Sequence, residues 1–366
     1  MESHSFGEKF RAFLATGRVA NLPTVWSNVI VAFYFAAGLN FFNTDIPDSY
    51  RDHFDLWILL FACVAASCLY VGGCMLGDYR DIRFDREHRP GRPLVTGLLK
   101  PSVVCMVAIG LLLLGLIIGG LSNAAALLIA FDVPLKLLSI ASKTDVMTML
   151  QVTNMALLGL LVLFIVIYAL FHKKSRPFAL ANMALCRTQL IIFSAALAMP
   201  VLHHSAKLSF HYMWLCSPVM IMACSVGIYT LLLASVAATE SNKDKIKFSI
   251  ALKCSMFLLP ILAVAALSIK DSEHFPLFNH LALSTETYST NTVRGYFIGT
   301  VVVYCGWMIY AFGALPADKP AFVSRALAGF CLLDACFAAT YSLTIPLVCI
   351  ILFGLALLLQ KIAPAT

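Results

Sequence analysis

Charge is scarce in this chain. Only 12% of its 366 residues are Asp, Glu, Lys or Arg, whereas an ordinary soluble domain carries about 25%. With 60% hydrophobic residues and a mean hydropathy of +0.87, too little polar surface remains for a soluble globular protein. Cysteine is not rare, but no Cys-x-x-Cys pair occurs among the twelve. That absence argues against a metal knuckle or redox framework, and cysteines such as Cys63, Cys68, Cys74, Cys186 and Cys336 read as small buried hydrophobes. Residues 1–22 lack the short apolar core and small-residue site of a cleavable signal. The first spanning helix is therefore expected to act as an uncleaved anchor.

What the chain has in abundance is apolar runs of bilayer-spanning length. They predict helices near 23–42, 56–77, 102–121, 148–171, 177–199, 208–236, 248–268, 293–314 and 326–360. The last run is too long for one ordinary span, so the expected count is nine or ten. The expected fold is an all-α, polytopic membrane bundle enclosing a central cavity. A cytoplasmic lead-in, 1–22, would precede a single membrane domain, 23–361. With the N-terminus placed in the cytoplasm, inner segments collect Arg80, Arg83, Arg86, Lys173, Lys174, Arg176, Lys243 and Lys245. Outer segments hold only Arg51, Lys136, Lys143, Lys207, Lys270 and Arg294. This positive-inside bias accounts for much of the net charge of +7 without invoking nucleic acid. The interrupted stretch 122–147 is expected to prolong the third helix and then form an irregular external segment.

The rare charges concentrate in residues 77–94, just after the second apolar run. Asp78, Asp81 and Asp85 stand at i, i+3 and i+7, one face of an α-helix. Oxygen ligands so arranged suit a hard divalent cation such as Mg²⁺, with open positions left for phosphate oxygens. Arg89 and Arg92 follow in an Arg-Pro-x-Arg-Pro turn and could clamp the same phosphates. The plainer alternative is a solvated cytoplasmic loop whose charges merely set orientation. A second acidic pair, Glu240 and Asp244, lies at i and i+4 after the sixth helix and faces the same compartment. Two such clusters across a bundle could hold two cations around one diphosphate.

These residues resemble the UbiA superfamily of intramembrane prenyltransferases. The resemblance rests on Asp78-x-x-Asp81-x-x-x-Asp85, on Arg89-Pro90-Gly91-Arg92-Pro93-Leu94-Val95-Thr96-Gly97, and on the entry segment Gly17-Arg18-Val19-Ala20-Asn21-Leu22-Pro23. Tyr168 to Lys173 and Met183 to Arg187 further resemble a bacterial, EboC-like branch. Two departures stand out. Gly77 replaces the family's asparagine, and the second motif is reduced to Glu240 and Asp244.

The resemblance implies transfer of a prenyl group from a prenyl diphosphate donor to an acceptor of unknown identity within the bilayer. Mg²⁺ would sit on Asp78, Asp81 and Asp85, with a second ion on Glu240 and Asp244. Arg89, Arg92, Lys173 and Arg187 would be the cationic clamps. Arg187 lies about ten residues into its helix, a depth at which a charge normally faces a cavity or partner. Asn21, Asn28 and Tyr168 are the candidate acceptor residues, while Asp334 is an interior charge with no assigned role. A transporter, or an impaired relative acting as a lipid-binding scaffold, remains the alternative.

Overall fold

The computed structural model of the chain describes residues 5–38, 48–132, 140–198, 218–238, 255–256, 258–259, 290–315, 317–340 and 342–363. Among these residues the secondary structure is helical, with no strand. The helices are α1 (Phe6–Thr16), α2 (Leu22–Gly38), α3 (Asp48–His88), α4 (Pro101–Asp132) and α5 (Ile140–Phe171), then α6 (Arg176–Leu197), α7 (Pro218–Ala237), α8 (Thr290–Ala314), α9 (Lys319–Ala338) and α10 (Ile345–Ile362). Among the described residues, nine helices, α2 to α10, are long and apolar enough to cross a membrane. The chain is a multi-pass integral membrane protein.

The lead-in is helical because Ser5 caps α1. Its Oγ accepts from the Glu8 amide, and the Glu8 carboxylate accepts from the Ser5 amide. The long final apolar run is broken between α9 and α10. There Ser342 Oγ accepts from the amides of Thr344 and Ile345, and Pro346 enters the first turn of α10. A hydroxyl that satisfies start-of-helix amides, followed by proline, stops one helix and starts the next. The third predicted helix is prolonged as expected, α4 continuing to Asp132, whereas α5 begins earlier than expected, at Ile140. The expected span 248–268 falls mostly outside the described residues, and the four described there, Ser255, Met256, Leu258 and Leu259, are helical.

Helix α2 is the hub, packing against α3, α6, α9 and α10. It and α9 are the most enclosed spans, and their side chains, including Val29, Phe33, Phe330 and Phe337, fill the core. Helices α3 and α4 lie tightly together because small residues face each other. A Cβ on Gly115 would stand 2.7 Å from Leu69, and one on Gly72 would stand 3.0 Å from the Ala108 carbonyl.

Helix α3 is continuous for 41 residues. At 1.5 Å per residue it is about 60 Å long, against a hydrocarbon layer of about 30 Å. Its apolar stretch ends near Leu76, so the same rod carries the acidic residues out to the membrane border. No loop separates the span from the aspartates, a closer coupling than the expected helix end at residue 77 allowed.

Candidate active site

Three residues besides the acidic triplet share one face of α3. Tyr70, Cys74, Gly77, Asp78, Asp81 and Asp85 fall within roughly 100° of arc at 3.6 residues per turn. Asp78 and Asp85 are buried, and Asp81 is half-buried. A Cβ added at Gly77 would meet nothing within 4 Å, so the site has room where the asparagine of the resembled family would stand.

Asp78 and Asp81 meet different partners. Asp78 lies 3.6 Å from Arg18 on one oxygen and 3.6 Å from Arg92 on the other. Asp81 Oδ2 faces His172 Nε2 at 3.0 Å and Lys173 Nζ at 3.3 Å. No ion pair reaches Asp85 among the described residues. Lys173 also stacks its ammonium 3.8 Å above the Phe84 ring, which fixes a flexible side chain beside the carboxylate.

The backbone explains why these cations converge. Helix α1 stops at Gly17, and Arg18 takes a left-handed conformation, φ 48°. For a residue with a Cβ this costs about 1 kcal/mol or more, and it turns Arg18 toward Asp78. Burial works against the Arg18 charge, but the neighbouring Cys74 and Asp78 outweigh it and hold its pKa above the usual guanidinium range. After α3, Pro90 and Pro93 cannot continue the helix. The chain turns through bonds from Arg92 N to Arg89 O and from Val95 N to Arg92 O, with Gly97 at φ +78°. Leu94 plugs into a small cluster with Met75, Val104 and Ala108, which pins Arg92 over Asp78. At the end of α5, His172 Nδ1 bonds the Tyr168 carbonyl at 2.9 Å, so the other nitrogen points at Asp81.

Of the sequence-predicted residues, Asp78, Asp81, Arg92 and Lys173 come together here, with Asp85 on the same face. Arg89 stands exposed on the turn. Tyr168 lies within electrostatic reach of Arg18, Cys74 and Asp81, with its ring stacked on His172. Glu240 and Asp244 lie outside the described residues. Sequence reasoning missed Arg18 and His172 as partners of the aspartates. Arg18 reads as part of the entry segment Gly17 to Pro23 with no role of its own, and His172 is overshadowed by the lysine beside it.

Deeper in the bundle the arrangement differs from expectation. Arg187 does not approach the aspartates. Its Nη1 donates to Asn28 Oδ1 at 2.7 Å and the Thr24 carbonyl at 3.2 Å, and its Nη2 donates to Thr24 Oγ1 at 2.9 Å. Asn28 Nδ2 and Ser27 Oγ in turn donate to Asp334 Oδ2 at 2.7 and 2.6 Å. Asn21 donates to the Tyr70 hydroxyl at 3.0 Å, linking this inner layer to the α3 face.

Comparison with known proteins matches the α3 face to a family. The model of the UbiA prenyltransferase family matches residues 49–133, which hold the three aspartates and the Arg-Pro turn. Through this segment the chain is similar to the UbiA prenyltransferase family. A digeranylgeranylglyceryl phosphate synthase from Sulfurisphaera tokodaii is 35% identical over 72 residues. That alignment covers 20% of this chain and 26% of the relative, so the chain matches only about a quarter of the curated relative's length. A solved structure from work on a digeranylgeranylglyceryl phosphate synthase in membranes superposes with a TM-score of 0.47 at 16% identity. It covers 91% of this chain and 98% of that one. The UbiA match covers the α3 aspartates and Arg92, while Arg18, His172 and Lys173 lie outside it.

Proposed function

We propose that this chain transfers a prenyl group from a prenyl diphosphate to an acceptor held in the bundle. A divalent cation, Mg²⁺, would be shared between the α3 aspartates and the diphosphate. The observation that carries this reading is the α3 face itself, with three aspartates at the membrane border, of which Asp78 and Asp81 are met by basic side chains from three other segments. Among the described residues, no group of three or more His, Cys, Asp or Glu side chains stands ready to hold a metal unaided. Mg²⁺ keeps several waters and takes one or two carboxylates together with substrate phosphates. Asp78, Asp81 and Asp85 would hold it, and Glu240 and Asp244 are candidates for a second ion.

When bound, the cation would neutralise charge building on the leaving diphosphate. The chain's own residues supply the rest. Arg18, Arg92, Lys173 and His172 are positioned before any substrate arrives, so donors face the developing charge without reorganisation. The apolar bundle behind them would take the isoprenoid tail and keep water from the allylic cation. Asn21, which bonds the Tyr70 hydroxyl, and Tyr168 would line the acceptor side. The basic segments beside them support a cytoplasmic N-terminus and acidic face.

The test is diphosphate release from a radiolabelled prenyl diphosphate by the full chain in lipid nanodiscs with Mg²⁺. Asp78→Asn and Asp81→Asn are each expected to lower release about a hundredfold or more, and a chelator should abolish it. Tight, metal-dependent donor binding without turnover would favour the scaffold reading. Solute counterflow in liposomes would favour transport.

A further inference from the structure

We propose that α1 lies in the headgroup layer of the bilayer at the acidic end of the bundle. Phe6 and Phe10 dip toward the acyl chains there, and Lys9, Arg11 and Lys361 face anionic phospholipid. The proposal is independent of prenyl transfer. The pattern on α1 comes first. At 3.6 residues per turn, Phe6, Phe10, Phe13 and Leu14 share an arc of roughly 100°. Lys9 and Arg11 flank that arc on either side, and Glu8 stands opposite, in the capping box with Ser5. Two of the rings lie outside the core: Phe6 is 84% exposed and Phe10 54%, stacked with centroids 6.3 Å apart. Bare rings side by side are unfavourable in water. At a bilayer interface they form the buried face of a surface helix.

Contacts with the bundle set the depth and direction of α1. At its C-terminal end Phe13 packs on the cluster of Met75, Leu94 and Val104. A Cβ on Gly17 would stand 3.0 Å from Val71 and 3.2 Å from Met75. These belong to the last apolar turn of α3, directly below Asp78. Further back, Arg11 Nε donates to the Ile362 carbonyl at 2.8 Å, at the end of the spanning helix α10. Arg11 and Gly17 are about 9 Å apart along the axis. Fastened to the ends of two spans, α1 runs along the surface rather than out into water. The arc that rests on α3 through Phe13 continues through Phe10 to Phe6, past the edge of the bundle.

The charges select the lipid. Lys9, Arg11 and Lys361 are all exposed at this border, whereas Glu8 is turned away from the apolar arc. Basic side chains so placed are drawn to an anionic leaflet. A second copy of the chain on the same face would set these cations against their own counterparts, so self-association is the poorer match. Only Gly17 separates α1 from Arg18, whose guanidinium meets Asp78.

The test places an indole on the face by Phe10→Trp, in the full chain reconstituted in nanodiscs of mixed phosphatidylcholine and phosphatidylglycerol. Brominated acyl chains quench an indole lodged among them. The emission that this residue adds over the wild type is expected to fall about twofold or more in brominated lipid. Glu8→Trp, on the opposite arc, should be quenched far less. With the lipid mixture held constant, bromine is then carried on one lipid or the other. Mole for mole, brominated phosphatidylglycerol should quench Phe10→Trp about twofold better than brominated phosphatidylcholine, and Lys9→Gln with Lys361→Gln should erase the difference. An unquenched indole overturns the proposal: red-shifted emission puts the face in water, and blue-shifted emission that grows with protein density puts it against a second copy. Equal quenching by the two lipids overturns it as well, as does a phosphatidylglycerol excess that survives loss of both lysines. If Phe10→Trp disturbs α1, Phe6→Trp reads the same arc. Neither measurement needs donor, metal or turnover, so failure of the prenyl-transfer reading is told apart from failure here.

Discussion

His172 Nε2 and Lys173 Nζ share a single oxygen of Asp81, at 3.0 and 3.3 Å. With Nδ1 committed to the Tyr168 carbonyl, the ring is locked into this contact. A cation drawn to Asp81 competes with these partners for the carboxylate's charge. His172→Gln is therefore expected to lower the Mg²⁺ concentration for half-maximal diphosphate release about fivefold, a relief of about 1 kcal/mol. A magnesium titration of turnover checks this. An unchanged or raised half-saturation would show that His172 does not compete with the metal.

Gly77 offers a gain rather than a loss. Its missing Cβ would meet nothing within 4 Å, on the face that carries the aspartates. Gly77→Asn should fold as well as the wild type, since asparagine is no worse than glycine inside a helix. The added amide oxygen should tighten metal binding. By contrast Gly115→Ala drives a methyl to 2.7 Å from Leu69 and should cost about 1–3 kcal/mol. Thermal unfolding of both variants, with a metal titration of the first, separates open space from tight packing.

The two arginines of the turn should behave differently. Arg92 faces Asp78 at 3.6 Å, while Arg89 stands exposed. Arg92→Ala is expected to raise the donor KM about tenfold or more, and Arg89→Ala to change it less than about twofold. Equal effects would mean that both arginines clamp the diphosphate, as the turn sequence alone suggests.

A third buried network ties helices without touching the site. Asn154 donates to Asn123 Oδ1 at 3.0 Å and to the Ala196 carbonyl at 3.3 Å, joining α4, α5 and α6. Interhelical bonds in membranes average about 0.6 kcal/mol. Asn154→Ala should therefore weaken the bundle by about 1 kcal/mol in a detergent-unfolding assay while leaving donor KM unaltered.

The outer layer of the site was legible because spacing carries it. Three aspartates at helical intervals, two prolines and a run of arginines define a face and a turn before any coordinates exist. The split of the last apolar run was legible from its length alone. The inner layer was not. Ser27, Asn28, Arg187 and Asp334 are drawn from three helices separated by more than a hundred residues, and no local pattern encodes their meeting. Burial depth marked Arg187 as unusual, and depth alone could not tell a donor clamp from a tie to α2. Arg18 was hidden for another reason. Its direction depends on one left-handed backbone residue, and nothing in its side chain announces that.

The unbroken length of α3 makes the site responsive to the lipid around it. One end of the rod is fixed against α4 within the bilayer, and the other carries the aspartates toward partners borne by separate segments. A leaning rod moves its tip: over about 30 Å, a lean of about 5° displaces the carboxylates by roughly 2.5 Å, more than an ion pair tolerates. Acyl-chain length in reconstituted vesicles should therefore set turnover through an optimum, and a flat profile would show that the surrounding helices hold the rod upright.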